Sequence, residues 1–136
     1  QLAEYVVFDS PLNMLCDSPS NYMMEPECTG FIASVPTVWD ESLPVNGEIG
    51  KFITLARRSG DMWYVGSLTN WDARELTLDL GFLGDGDWTL DIFRDGINAD
   101  KAARDYVHVT APVPADRRLT ILLAPGGGWV AKATRN

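Results

Sequence analysis

The acids that stand closest together in the chain are Glu25 with Glu27 and Asp40 with Glu41. Paired carboxylates are what glycoside hydrolysis needs, one as acid and one as base or nucleophile. The spacing argues against that chemistry here. On a helix, residues two apart point about 200° away from each other, and neighbours on an extended segment point to opposite sides. Both pairs therefore read as solvated or capping carboxylates. His108, the single histidine, lies on the polar phase of a strand between Val107 and Val109. It reads as exposed, and no serine or cysteine is placed near it by the sequence, which argues against a triad. Asp95, Asn98, Asp100 and Asp105 offer the oxygens calcium requires, but they lack the alternate-acid loop pattern. Turn formation through Asp95-Gly96 and Asn98 accounts for them. Gly126-Gly127-Gly128 precedes a strand and not a helix, so it lacks the helix N-terminus of a phosphate loop and reads as a bent β connection. Cys16 and Cys28 have no zinc-type spacing; they read as two free thiols, with a disulfide between them as the alternative. Among the five tryptophans, Trp63 and Trp88 lie in apolar strand phases and read as core, while Trp71 falls at a strand end. Aromatic faces also stack on sugar rings, so exposed tryptophans on a β-sandwich are the alternative to packing.

The elements that would position these residues divide near Gly47. The 136 residues suffice for one compact domain plus an appendage. Residues 2–8 open on an apolar run with no capping residue ahead of them, the mark of a helix whose start lies upstream. The chain is therefore expected to be the tail of a longer protein. Residues 11–16 read as an extended apolar run and 18–35 as a second helix, with Ser18 and Ser20 as candidate N-caps. Met23, Met24, Cys28, Phe31 and Ile32 would share its apolar face, and Pro26 argues for a start near Glu25. Residues 37–44 read as an extended linker and Asn46-Gly47 as a turn. From Glu48 every segment reads as strand and turn: 49–57, 62–68, the alternating Leu76, Leu78 and Leu80, then Trp88, Leu90 and Ile92, then 106–110, 119–123 and 129–133, with at most one helical turn in 98–104. The expected fold is mainly β: an antiparallel β-sandwich over 47–136, preceded by two helices in 1–46.

The formal charge of −8 excludes a polyanionic partner such as nucleic acid or an anionic bilayer, and no apolar stretch reaches the roughly 20 residues of a membrane span.

Six segments in order resemble the C-terminal end of glycoside hydrolase family 97: Tyr5-Val6-Val7-Phe8-Asp9-Ser10-Pro11-Leu12, Glu25-Pro26-Glu27-Cys28-Thr29, Pro36-Thr37-Val38-Trp39-Asp40-Glu41, Thr69-Asn70-Trp71, Phe93-Arg94-Asp95-Gly96-Ile97-Asn98-Ala99-Asp100 and Ala124-Pro125-Gly126-Gly127-Gly128. The resemblance implies an N-terminal β-sandwich, a central (β/α)₈ catalytic barrel and a C-terminal β domain. The first 46 residues would then be the end of the barrel: a late helix over 2–8, a final strand over 11–16, the closing helix over 18–35 and a linker. It also implies calcium-dependent α-glucosidase or α-galactosidase activity of the intact enzyme and periplasmic or secreted location. The family's catalytic and calcium-binding residues precede Gln1, so none is carried over to this chain, and no cofactor is expected in the fragment itself. Asp17 is the one candidate for a sugar contact, because barrel active sites form at the C-terminal ends of strands; helix capping is its alternative. The function implied is a non-catalytic β domain supporting the missing barrel, whose substrate is an oligosaccharide, and contributing to oligomer contacts. The alternative is a carbohydrate-binding module, and an independent enzyme is the weakest reading. The apolar faces of the two helices should fold back on the sandwich or be covered by another copy.

Overall fold

The computed structural model describes residues 1–10, 15–102 and 104–136. Three short helices come first: α1 (Glu4–Val7), α2 (Pro19–Met24) and α3 (Pro26–Ser34). Eight strands follow: β1 (Glu41–Glu48), β2 (Phe52–Ser59), β3 (Met62–Thr69), β4 (Arg74–Asp79), β5 (Trp88–Asp95), β6 (Tyr106–Pro112), β7 (Arg118–Leu123) and β8 (Gly128–Arg135). They form a six-stranded sheet in the order β1-β2-β3-β8-β5-β6 and a two-stranded sheet of β4 and β7, with every pairing antiparallel. The antiparallel β architecture expected from the alternation is borne out. The β2–β3 hairpin closes on the two residues between Ser59 and Met62, and Gly60 supplies the positive φ of +57° that a tight hairpin turn requires.

Period 2 sorts the side chains into two cores. Trp63, Val65, Leu90, Ile92, Trp129 and Ala131 point from the large sheet toward Leu78, Ile121 and Leu123 of the small one. On the opposite face of the large sheet, Tyr64, Phe93 and Val130 meet Ala3 and Val6 from α1 and Phe31 from α3. Phe31 tilts against Phe93 at 5.2 Å between ring centroids. The helices thus fold back on the sheet, and each large apolar side chain buried there stabilises by about 1.5–3 kcal/mol. The seat of α1 is Gly66: a Cβ at that position would stand 3.0 Å from both the Val6 and the Val7 side chains.

Several local readings are corrected. Residues 41–48, taken for linker and turn, are the edge strand β1, which crosses the division expected at 46/47. Its register shifts between Pro44 and Asn46. A proline without an N–H is tolerated on an edge strand and at a bulge, and Asn-Gly here lies beside that irregularity instead of closing a hairpin. The turn comes later, where Lys51 N–H donates to the Glu48 carbonyl (2.9 Å) and Gly50 takes φ +77°. The second helix is two helices broken at Glu25, which adopts φ −121°, ψ 63° ahead of Pro26. Ser18 occupies the N-cap of α2 with no side-chain capping bond. The break turns Met23 and Met24 out to solvent, so they do not share the face that buries Phe31. Helix in the first segment is confined to Glu4–Val7. Most of the extended run expected over 11–16 lies outside the described residues, as does Ala103 in the 98–104 turn. Within that turn, Ala102 N–H donates to the Asn98 carbonyl at 2.9 Å. No described helix is long and apolar enough to cross a membrane.

Candidate functional site

The residues singled out for chemistry are brought together in pairings that sequence spacing does not show. Strand register sets His108 of β6 opposite Phe93 of β5, and the imidazole stacks on that ring at 4.1 Å and 10°. His108 is exposed, as expected, yet engaged: Nε2 stands 2.6 Å from Asp91 Oδ1, and Nδ1 stands 3.5 Å from Glu27 Oε1 of α3. Tyr106 Oη donates to Glu27 Oε2 at 3.2 Å. Burial works to lower the His108 pKa, but the hydrogen bonds and charges of Asp91 and Glu27 outweigh it and hold the pKa above its ordinary value. The Tyr106 phenol is pushed up, first by its hydrogen bond to Cys28 and then by burial, and burial raises the Cys28 thiol. The cluster fastens α3 to the β5–β6 edge of the sheet.

The other acids are spent on structure. Asp40 and Glu41 are exposed, as expected, yet both approach Arg58, at 3.7 Å and 3.2 Å, and Asp40 also accepts the Gly60 N–H at 2.7 Å. Asp95 Oδ2 accepts from the Ala124 and Gly128 N–H groups at 2.9 and 3.1 Å. A Cβ at Gly127 would overlap that carboxylate, which explains the glycine run as a close-approach turn. Asp105 accepts from Asn98 N–H at 2.6 Å. Cys16 and Cys28 form no disulfide. Among the described residues no three of His, Cys, Asp or Glu stand together as a metal cage.

Asp17 lies at the start of α2, exposed. Its Oδ1 accepts from the Ser18 N–H and from Asn21 Nδ2, each at 2.7 Å. Those two donors, Ser18 foremost, hold its carboxyl below the usual range. Trp63, Trp88 and Trp129 are buried in the core between the sheets, and Trp39 is half-buried edge-on against Tyr64. Trp71 alone among the five is exposed, at 86%. Its ring lies over Gly126, whose N–H donates to the Asn70 carbonyl at 2.7 Å, while Asn70 N–H donates to the Lys51 carbonyl at 2.8 Å. Three loops are thereby tied together beneath the indole. A groove of about 430 Å³ lined by Ile49, Phe52, Ile53 and Leu68 runs beside them.

One residue was not singled out from the sequence. Arg57 lies on the helix-bearing face of the large sheet, its side chain 6% exposed. Nη2 donates to the Val7 carbonyl at 3.4 Å, Nη1 is 3.7 Å from Asp9 Oδ1, and the Trp39 ring lies 5.7 Å from the guanidinium carbon. Nε finds no hydrogen-bond partner among the described residues. The available signal was phase: Arg57 shares its face with Tyr64, its cross-strand partner, whereas Arg58 shares the other with Trp63.

Residues 38–134 match the family described as glycosyl-hydrolase 97 C-terminal, oligomerisation. The chain is 55% identical over 132 residues to a retaining alpha-galactosidase of Bacteroides thetaiotaomicron, a match covering 97% of this chain and 20% of that protein. It superposes on a glycoside hydrolase family 97 enzyme of Pseudoalteromonas sp. strain K8, solved with panose, at a TM-score of 0.92 and 36% identity, over 99% of this chain and 22% of that one. A beta-arabinopyranosidase aligns at a TM-score of 0.81 and 29% identity, over 97% and 20%. The chain spans about a fifth of the length of each of these relatives.

Proposed function

Because this chain belongs to the C-terminal family of glycosyl hydrolase 97, we propose that it serves as the non-catalytic β domain of a longer α-glycosidase, bracing the catalytic barrel and holding copies of the enzyme together. The observation that supports this most is the fate of the acids. Glu27, Asp40, Glu41, Asp91, Asp95 and Asp105 are each engaged by a histidine, an arginine or backbone N–H groups, and neither the groove beside Trp71 nor the pocket between Asp9 and Ser42 is lined by two carboxylates as a hydrolytic pair requires. The barrel would act on an oligosaccharide, and the whole enzyme would work in the periplasm or outside the cell. Calcium, implied for the whole enzyme, has no fit among the described residues, and its cage would belong to polypeptide outside this chain. Asp17 is the residue we assign to the rim of the sugar pocket. The purified chain, offered nitrophenyl α-galactoside and α-glucoside, should release no more nitrophenol than buffer; release proportional to protein concentration would overturn the non-catalytic role.

The exposure of Trp71 favours a second reading, a glycan platform at the loop end of the sandwich. Titration with maltooligosaccharides should then quench the fluorescence of the wild-type chain and leave Trp71→Ala unmoved. Identical flat traces for both would remove it.

A further inference from the structure

The one histidine of the chain is clamped between two carboxylates that belong to different parts of the fold. Asp91 reaches Nε2 from β5, the strand paired with β6, and Glu27 reaches Nδ1 from α3. The two links are unequal, at 2.6 Å and 3.5 Å. A protonated imidazole carries an N–H on each nitrogen and serves both carboxylates. A neutral one carries a single N–H, and its other nitrogen presents a lone pair. Asp91 holds the shorter bond, so the remaining proton stays on Nε2. The lone pair of Nδ1 then faces the Glu27 carboxylate, and the link that turns repulsive is the one to α3.

Asp91 and Glu27 are the charged groups that act on the imidazole. Around them stand Tyr106 on β6, whose hydroxyl donates to Glu27 at 3.2 Å, and Cys28 on α3, hydrogen-bonded to that phenol. Lys132 on β8, the cross-strand partner of Asp91, lies over the Tyr64 ring at 5.8 Å. The other holds on α3 lie toward its C-terminal half: Phe31 packs against Phe93 and Tyr64, and the Ser34 carbonyl accepts from the Tyr64 hydroxyl at 2.7 Å. The clamp therefore acts on the first turn of the helix. We propose that His108 is a proton-operated latch on α3: the imidazolium draws the first turn onto the β5–β6 edge, and loss of its proton releases that turn while β5 and β6 stay joined. The two carboxylates set the release on the alkaline side of the ordinary histidine range. The device lies within this chain and goes beyond the bracing role proposed above.

Amide hydrogen exchange of the full chain, read residue by residue by NMR and corrected for the intrinsic pH dependence of exchange, tests it. The reporters are Thr29, whose N–H donates to the Glu25 carbonyl at 3.0 Å, and the next two amides of α3, Gly30 and Phe31. As pH rises through the His108 titration, their protection should fall about two- to fivefold, the range a partly exposed ion pair supports, while β3 and β8 keep theirs. His108→Gln should show the lower protection at every pH. Asp91→Asn separates the latch from a merely structural histidine. Its amide can donate to Nε2 and leave the single ring proton on Nδ1 for Glu27, so α3 should stay protected throughout. Wild-type protection that does not change with pH overturns the latch, and so does an equal fall in His108→Gln. A fall in Asp91→Asn as large as that of the wild type overturns the proton placement from which the release of α3 follows.

Discussion

His108 shows how much a single side chain's role depends on what the fold brings to it. The folded state raises its pKa, so the bound proton stabilises the fold. That contribution is complete below the unfolded value of about 6.5 and is lost as pH rises through the higher folded value. Melting temperatures of the wild type and His108→Gln should therefore differ most below the unfolded value and converge as the pH rises through the folded one. A gap that widens with pH would show that the imidazole, and not the imidazolium, holds α3. Asp17 is tested separately in the full-length enzyme. If it rims the sugar pocket, Asp17→Asn should lower kcat/KM at least about tenfold with the melting temperature held, since a polar group left unpaired against substrate costs on the order of 1–3 kcal/mol; unchanged turnover removes it. Little of this was legible in advance. The phase of His108 announced its exposure, but Asp91 lies on another strand and Glu27 on a helix 81 positions earlier in the chain, and only tertiary packing brings them to it.

Among the elements, strands with one wet and one dry face were the readable ones. Leu76 and Leu78 alternate because β4 meets the inner core on alternate residues with its other face in solvent, and Trp88, Leu90 and Ile92 mark the inner face of β5, whose other face is covered at Phe93. β3 was readable as strand but not in its faces, because both are covered and its burial runs unbroken from Trp63 to Ser67. β1 was lost to Pro44 and Asn-Gly, signals whose local meaning the edge position overrides. The helix break at Glu25 was half visible in Pro26. Two substitutions weigh the helix–sheet contact. Phe31→Ala should cost about 3 kcal/mol in urea denaturation, and Gly66→Ala about 1–3 kcal/mol, since its methyl group would press into Val6 and Val7. A neutral Gly66→Ala would mean that α1 does not press on β3 at Gly66.

At the scale of the whole molecule, the six-stranded sheet is the member everything else leans on, with β3, β8 and β5 at its centre and cover on both faces. Amide hydrogen exchange should be slowest in those three strands and fastest in α2, which buries no residue; comparable protection in α2 would contradict the described packing. The resemblance carried by short scattered motifs held at this scale because those motifs sit at the joints of the fold: the Asn70 knot, the Asp95 brace and the β1 edge. That edge has one more consequence. Pro44 offers no N–H and the register slips beside it, so β1 presents a broken ladder to any strand approaching from outside. Chains crowded together are thereby hindered from zipping their sheets into one continuous ribbon, and the same irregularity that hid this strand from view works against fibrous aggregation.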